Sequence, residues 1–125
     1  MRRWWLIPRN YSQNIYLHQI LISDDVRALH DHPWDNTSFL LAGGYTEVTP
    51  EGEFVREVGS VIHRKATDAH RLVIPEGGEA VSLFMTGPLI REWGFHCPKG
   101  WRHWKDFTQL SADGKSSEIG RGCED

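Results

Sequence analysis

The chain is poor in several features that would commit it to a class. Cysteine is scarce: Cys97 and Cys123 are the only two in 125 residues, and the second lies near the C-terminus. That is a poor basis for a disulfide framework, so the expectation is two free thiols in a reducing compartment. Charge of one sign is missing too, with 14 Lys and Arg mixed among 17 Asp and Glu for a formal charge of -3. Without a basic field nothing holds a phosphate backbone, which excludes nucleic acid as a partner. No apolar run approaches the roughly 20 residues that span a bilayer. At the N-terminus the apolar stretch 4–7 is interrupted by Pro8 and Arg9, too early for an export signal. These absences lead to the expectation of a cytoplasmic protein with no membrane partner. A chain of this length forms one domain and buries about two thirds of the surface its unfolded form exposes.

Long amphipathic helical patterns are absent as well, and short β segments take their place. "NIYLHQILIS" (14–23) is rich in aromatic and β-branched residues and stops at Ser-Asp-Asp, a turn composition. "SFLLAGGYTEVTP" reads as a strand, a break at Gly43-Gly44 and a second strand closed by the turn "PEGE". "EFVREVGSVIHRKA", "HRLVIP", "AVSLFMTG" and "REWGFHCP" follow, each bounded by Gly or Pro. At least seven such segments, spaced roughly 8 to 12 residues apart, predict an all-β sandwich or barrel over 1–110. From Ser111 to Asp125 the sequence is Ser, Gly, Asp, Glu and Lys with almost nothing to bury, which predicts a flexible polar tail.

The chemistry concentrates in "LHDHPWDNTSFLLAGGYTE" (29–47). In an extended segment side chains alternate, so His30 and His32 share a face and Asp31 points away. Two imidazoles on one face can share a metal ion. His70, which opens the later apolar strand of "GSVIHRKATDAHRL", supplies a third candidate ligand. Neutral imidazoles suit zinc, copper, nickel or iron. Three protein ligands leave positions open, as in catalytic rather than structural sites. An apo or vestigial pocket at the same place is the competing reading.

These residues also carry a resemblance. The sequence resembles the cupin family, whose first motif joins a glycine, an H-x-H pair, a glutamate and a closing glycine, and whose second runs from a glycine to a histidine. His30, His32 and Gly44 match the first motif, and Gly59 and His70 match the second. The resemblance spans about residues 15 to 96 and departs at several places. Asp24 stands where the leading glycine would be, and the metal-binding glutamate falls at Thr37, or at Asn36 with the shorter spacing. In the second motif Lys65, Thr67 and Ile74 occupy the proline, glycine and asparagine positions. The block "HDHPW", "GGYTE", "HR" and "TGP" followed by "REWGF" is similar to a group of bacterial and phage cupin-like proteins of unassigned reaction. The resemblance implies a double-stranded β-helix, a jelly-roll barrel, holding one divalent transition metal (Fe, Ni or Zn) at His30, His32 and His70. It also implies association into a homodimer through an N-terminal segment, for which Trp4 and Trp5 are the candidates. Among cupins, three-His iron centres are associated with thiol dioxygenases; others are isomerases, epimerases, decarboxylases or binding modules.

Further candidates surround this core. Tyr45, His63 and Arg91 are the candidate catalytic residues. Arg64, Arg71 and Arg91 can pair with a substrate carboxylate, and Tyr45 and Glu47 share a face after the Gly-Gly break. Asp35, Glu47 and His63 are candidate fourth ligands, with His18 a further one; His96 and His103 are expected in exposed positions near turns. The leading expectation is a small-molecule enzyme with a mononuclear three-His centre, dioxygenase-like or isomerase-like, acting on an anionic, chelating substrate. The alternatives are a non-catalytic binding or interaction module and a metal-independent epimerase using His63 or His70 as base and Tyr45 as acid.

Overall fold

The computed structural model describes residues 2–24, 27–110 and 117–124. Its strands are β1 (Arg2–Trp5), β2 (Asn14–Ile20), β3 (Leu29–His30), β4 (Asn36–Gly43), β5 (Tyr45–Thr49), β6 (Gly52–Arg56) and β7 (Val61–Arg64). They continue as β8 (Arg71–Val73), β9 (Ala80–Thr86), β10 (Gly94–Cys97) and β11 (Gly100–His103). A single-turn helix α1 (Trp104–Phe107) precedes β12 (Thr108–Leu110) and β13 (Ser117–Ile119). Every strand pairing is antiparallel. One sheet has the order β1-β2-β9-β4-β7; β6-β5-β8 and β11-β10-β3 form two further groups. An isolated antiparallel bridge between His30 and His70 joins those two groups. Its two backbone hydrogen bonds, N–H to O in each direction, are both 2.9 Å. The all-β jelly-roll expectation is correct. Among the described residues no helix is long and apolar enough to cross a membrane.

Period-two alternation sets which side chains enter the barrel. On β2 the buried positions are Tyr16, His18 and Ile20, and on β9 they are Ala80, Ser82, Phe84 and Thr86. On β4 they are Asn36, Ser38 and Leu40, on β5 Tyr45 and Glu47, on β7 Ile62 and Arg64. The interior is therefore divided. An apolar cluster of Ile20, Leu40, Tyr45, Ile74 and Ala80 fills one part, while His18, Asn36, Ser38, Glu47, Arg64, His70 and Ser82 are buried polar groups. Buried polar groups are costly unless they bond one another, so their concentration marks where the barrel does something other than pack.

The Gly43-Gly44 break has a steric basis. Gly43 has φ +71°, and a Cβ there would lie 1.9 Å from the Glu79 carbonyl oxygen. Gly94 is likewise hemmed in. A Cβ at Gly94 would meet the Arg102 carbonyl at 2.2 Å and the Trp101 ring at 2.8 Å, so β11 and its tryptophan occupy that space.

The C-terminal part differs from its expected form. β13 returns to pair with β12, Gly122 N–H donates to the Phe107 carbonyl at 3.1 Å, and Cys123 is disulfide-bonded to Cys97 across 5.5 Å between Cα atoms. The free-thiol expectation is overturned, so the two cysteines no longer argue for a reducing compartment. The flexible tail is overturned for residues 117–124; residues 111–116 lie outside those described. Composition failed here because the segment is held by backbone pairing and a covalent link rather than by apolar burial. Beneath it Phe95 stacks on Phe107 with ring centroids 3.6 Å apart, in a second cluster with Ala28, Trp93, Trp104 and both cysteines. At the other end, Trp4 and Trp5 lie on the edge strand β1 and remain 47% and 40% exposed.

Candidate metal centre

His30 ends β3, His32 follows two residues later, and His70 sits opposite His30 at the bridge. Their ring centroids are 4.9 Å (His30–His70), 5.0 Å (His32–His70) and 5.2 Å (His30–His32) apart. One nitrogen from each lies within 4.8 Å of the others, a group that can hold a metal ion. Burial lowers the His30 pKa to about 4 against the opposing pull of Asp24. Burial, and then the charges of His30 and His70, place His32 well below its ordinary value. Both rings are neutral at pH 7 and present lone pairs rather than charge.

His70 is oriented from behind. Its Nδ1 is 2.5 Å from Glu47 Oε2, and because a carboxylate only accepts, Nδ1 carries a proton and Nε2 is the nitrogen that can serve a metal. This is the carboxylate–histidine arrangement that fixes metal ligands. Glu47 also accepts from Arg64 Nε at 2.6 Å and Arg56 Nε at 3.1 Å. Burial alone would push the Glu47 carboxyl up, but hydrogen bonds from His70 and Arg64, with their charges, hold it well below the usual carboxylate range. Glu47 thus supports a ligand instead of being one.

Asp31, between the two N-terminal histidines, points to the opposite side as alternation requires and is 1% exposed. It accepts from Gly94 N–H at 2.8 Å and Trp101 Nε1 at 2.9 Å, lies 2.9 Å from His96 Nε2 and pairs with Arg91 at 2.8 Å. Arg91 also donates to the His32 carbonyl at 2.9 Å. The segment carrying both histidines is therefore clamped from its outer side. Sequence reasoning missed this role of Asp31, although a carboxylate inside an H-x-H pair, on the face away from it, is a readable signal.

The histidines open into a cavity of about 380 Å³ whose walls include Tyr16, His18, Trp34, Tyr45, Arg64 and Trp93. Arg64 is 5% exposed and donates from Nη1 to Asn36 Oδ1 at 3.1 Å and Ser38 Oγ at 2.9 Å, with Nη2 3.5 Å from the Tyr45 hydroxyl. Asn36 thus stands where the resemblance would put a glutamate, and it serves a guanidinium. Tyr45 is raised above its ordinary pKa by burial, with Arg64 opposing, so its hydroxyl stays protonated at neutral pH.

Of the sequence candidates, the structure brings together His30, His32, His70, Tyr45, Arg64 and His18. His63 is on the outer face of β7, bonded to Thr37 Oγ1 at 2.9 Å, one position away from the inward Arg64. Arg91 stands behind the site on Asp31, and Asp35 accepts from Ala66 N–H at 2.7 Å. None of these three lines the histidine cavity, nor does Arg71. His96, against Asp31, keeps a side chain 43% exposed, and His103, paired with Glu92 at 3.3 Å, is 22% exposed.

The three imidazoles fit a transition metal on two structural grounds. The rings converge, and the buried His32 Nδ1 has no hydrogen-bond partner among the described residues. No family model and no curated protein matches the sequence. Solved structures do match the fold. A cupin-like protein of Thermotoga maritima is 12% identical with TM-score 0.61, covering 74% of this chain and 73% of its own. The DMSP lyase DddQ of Ruegeria pomeroyi is 16% identical with TM-score 0.61, covering 79% and 53%. A putative mannose-6-phosphate isomerase of Ralstonia eutropha is 17% identical with TM-score 0.60, covering 70% and 85%. The chain has the cupin fold, with a three-histidine group inside its barrel that can bind a metal.

Proposed function

We propose that the protein is a metal-dependent enzyme acting on a small, anionic, metal-chelating substrate inside the barrel. The observation that carries this is the convergence of three imidazoles with a buried arginine and a protonated tyrosine in one cavity. His30, His32 and His70 would hold the ion. When bound, it supplies Lewis acidity toward a coordinated oxygen. Arg64, fixed on Glu47, Asn36 and Ser38, orients an anionic substrate group, and the Tyr45 hydroxyl is positioned to give a proton to a developing oxyanion. Trp34 and Phe84 wall the cavity and limit water. The lyase and isomerase names among the fold neighbours favour proton transfer over oxygen insertion; oxygen uptake during substrate screening separates the two.

The test begins with metal analysis of untagged wild type, His30→Ala and His70→Ala by plasma mass spectrometry. The expected result is about one equivalent of iron, nickel or zinc in wild type, lost in both variants. Wild type that contains no metal and takes none up on reconstitution would overturn the metalloenzyme reading.

A further inference from the structure

A second cavity adjoins the first. It has a volume of about 500 Å³ and shares Arg3, Tyr16 and Trp34 with the histidine cavity. Beyond these, Arg9, Trp5, Tyr11 and Thr86 contribute to its walls, and no carboxylate does so among the described residues. The two guanidiniums are held by aromatic faces: Arg3 Cζ is 4.7 Å from the Tyr16 ring centroid and Arg9 Cζ is 5.7 Å from that of Trp5. Stacking fixes a guanidinium while leaving its in-plane donors available. Among the described residues Arg9 has no hydrogen-bond or ion-pair partner, and Arg3 bonds only through Nε, to His18 at 3.2 Å. Thr86 is 2% exposed and its hydroxyl has no hydrogen-bond partner among the described residues. A buried hydroxyl left unbonded is costly unless something else bonds it.

Two cations without a counter-charge, an unpartnered hydroxyl and aromatic walls at one cavity call for an organic anion. The geometry points to a second ligand subsite, which takes the phosphate of a phosphate monoester whose other end lies among the histidines. Arg3 and Arg9 pair with the phosphate, Thr86 bonds it or its ester oxygen, and Trp34, common to both cavities and stacked on His32 at 5.3 Å, flanks the body between the two ends. This assignment rests on the histidine cavity being a substrate site and extends it to ligands that reach beyond the metal.

Calorimetric titration of metal-free wild type with phenyl phosphate, inorganic phosphate and benzyl alcohol tests the subsite apart from the metal. Saturable binding of phenyl phosphate, tighter than that of inorganic phosphate and absent for benzyl alcohol, is expected. Arg9→Gln and Thr86→Val should each weaken it about tenfold while metal content, measured in parallel, stays at the wild-type level. Binding should persist in His30→Ala, so loss of the metal reading and loss of the subsite register separately. No saturable binding, equal binding in Arg9→Gln and Thr86→Val, or inorganic phosphate binding as tightly as the ester would overturn the proposal.

Discussion

Glu47→Gln is the perturbation that tests the site's internal logic most directly. The carboxylate is 2% exposed and meets Arg64, itself 5% exposed, at 2.6 Å, together with Arg56 at 3.1 Å and His70 at 2.5 Å. An amide keeps the volume and removes the charge, leaving the Arg64 guanidinium buried with only the neutral acceptors Asn36, Ser38 and Tyr45 beside it. Breaking a buried pair from one side costs about 3–5 kcal/mol, which in a domain of this size lowers Tm by roughly 10–20 °C. Urea unfolding of the metal-free protein at pH 7 measures that loss. The same variant should weaken zinc binding about 10- to 100-fold, since the amide no longer dictates which His70 nitrogen carries the proton. Arg64→Met and the double variant complete a thermodynamic cycle. Removing both charges should cost less than the sum of the single losses by about 2 kcal/mol. Additive losses, or a Glu47→Gln variant within about 1 kcal/mol of wild type, would refute the account of Glu47 as the charge that holds both Arg64 and His70.

Other outcomes follow from single features. Burial, aided by the charge of Arg3, lowers the His18 pKa from 6.5 to about 3, so below about pH 6.5 the unfolded chain takes a proton that the folded one refuses. Stability should then fall by about 1.4 kcal/mol per pH unit on this account; His18→Phe should flatten the acid limb of urea stability measured from pH 7 to 5, and an unchanged slope would contradict it. Gly43→Ala, which places a methyl 1.9 Å from the Glu79 carbonyl at φ +71°, should cost at least about 2 kcal/mol, read as a lower urea midpoint; a neutral substitution would disprove the close approach. The Cys97–Cys123 link closes a segment of 26 residues, so the double Ser variant should lose about 3.5 kcal/mol, whereas stability insensitive to both the substitutions and reductant would show that the bond does not form.

The parts of this molecule that were legible in its sequence are those governed by period-two alternation alone. His30 and His32 share a face because they are two residues apart, and strands such as β2 and β9 announce themselves by composition. Partnerships across the barrel were not legible. Glu47 was visible as a neighbour of Tyr45 on one face, but its meeting with His70 and Arg64 depends on pairings between β5 and β8 and between β4 and β7. Face parity explains the choice of His63 over Arg64. Their strand is short, its neighbours Val61 and Ile62 are both apolar, and nothing local says which side is inward. Arg91 was drawn toward the site by its charge, when that charge answers Asp31 on the far side. The disulfide was hidden because composition near residue 123 carries no trace of the β12–β13 pairing that returns Cys123 to Cys97.

The bridge between His30 and His70 makes the candidate metal centre a seam. Two of its three imidazoles lie on opposite lips of the junction where the strand group containing β8 meets the one containing β3, forty positions apart in the chain. An ion seated there would stitch those lips together, so its grip is inseparable from closure of the barrel wall. Chelation would loosen the wall along this line first. Amide exchange at His30 and His70 would then report occupancy of the site from the backbone, with no substrate needed.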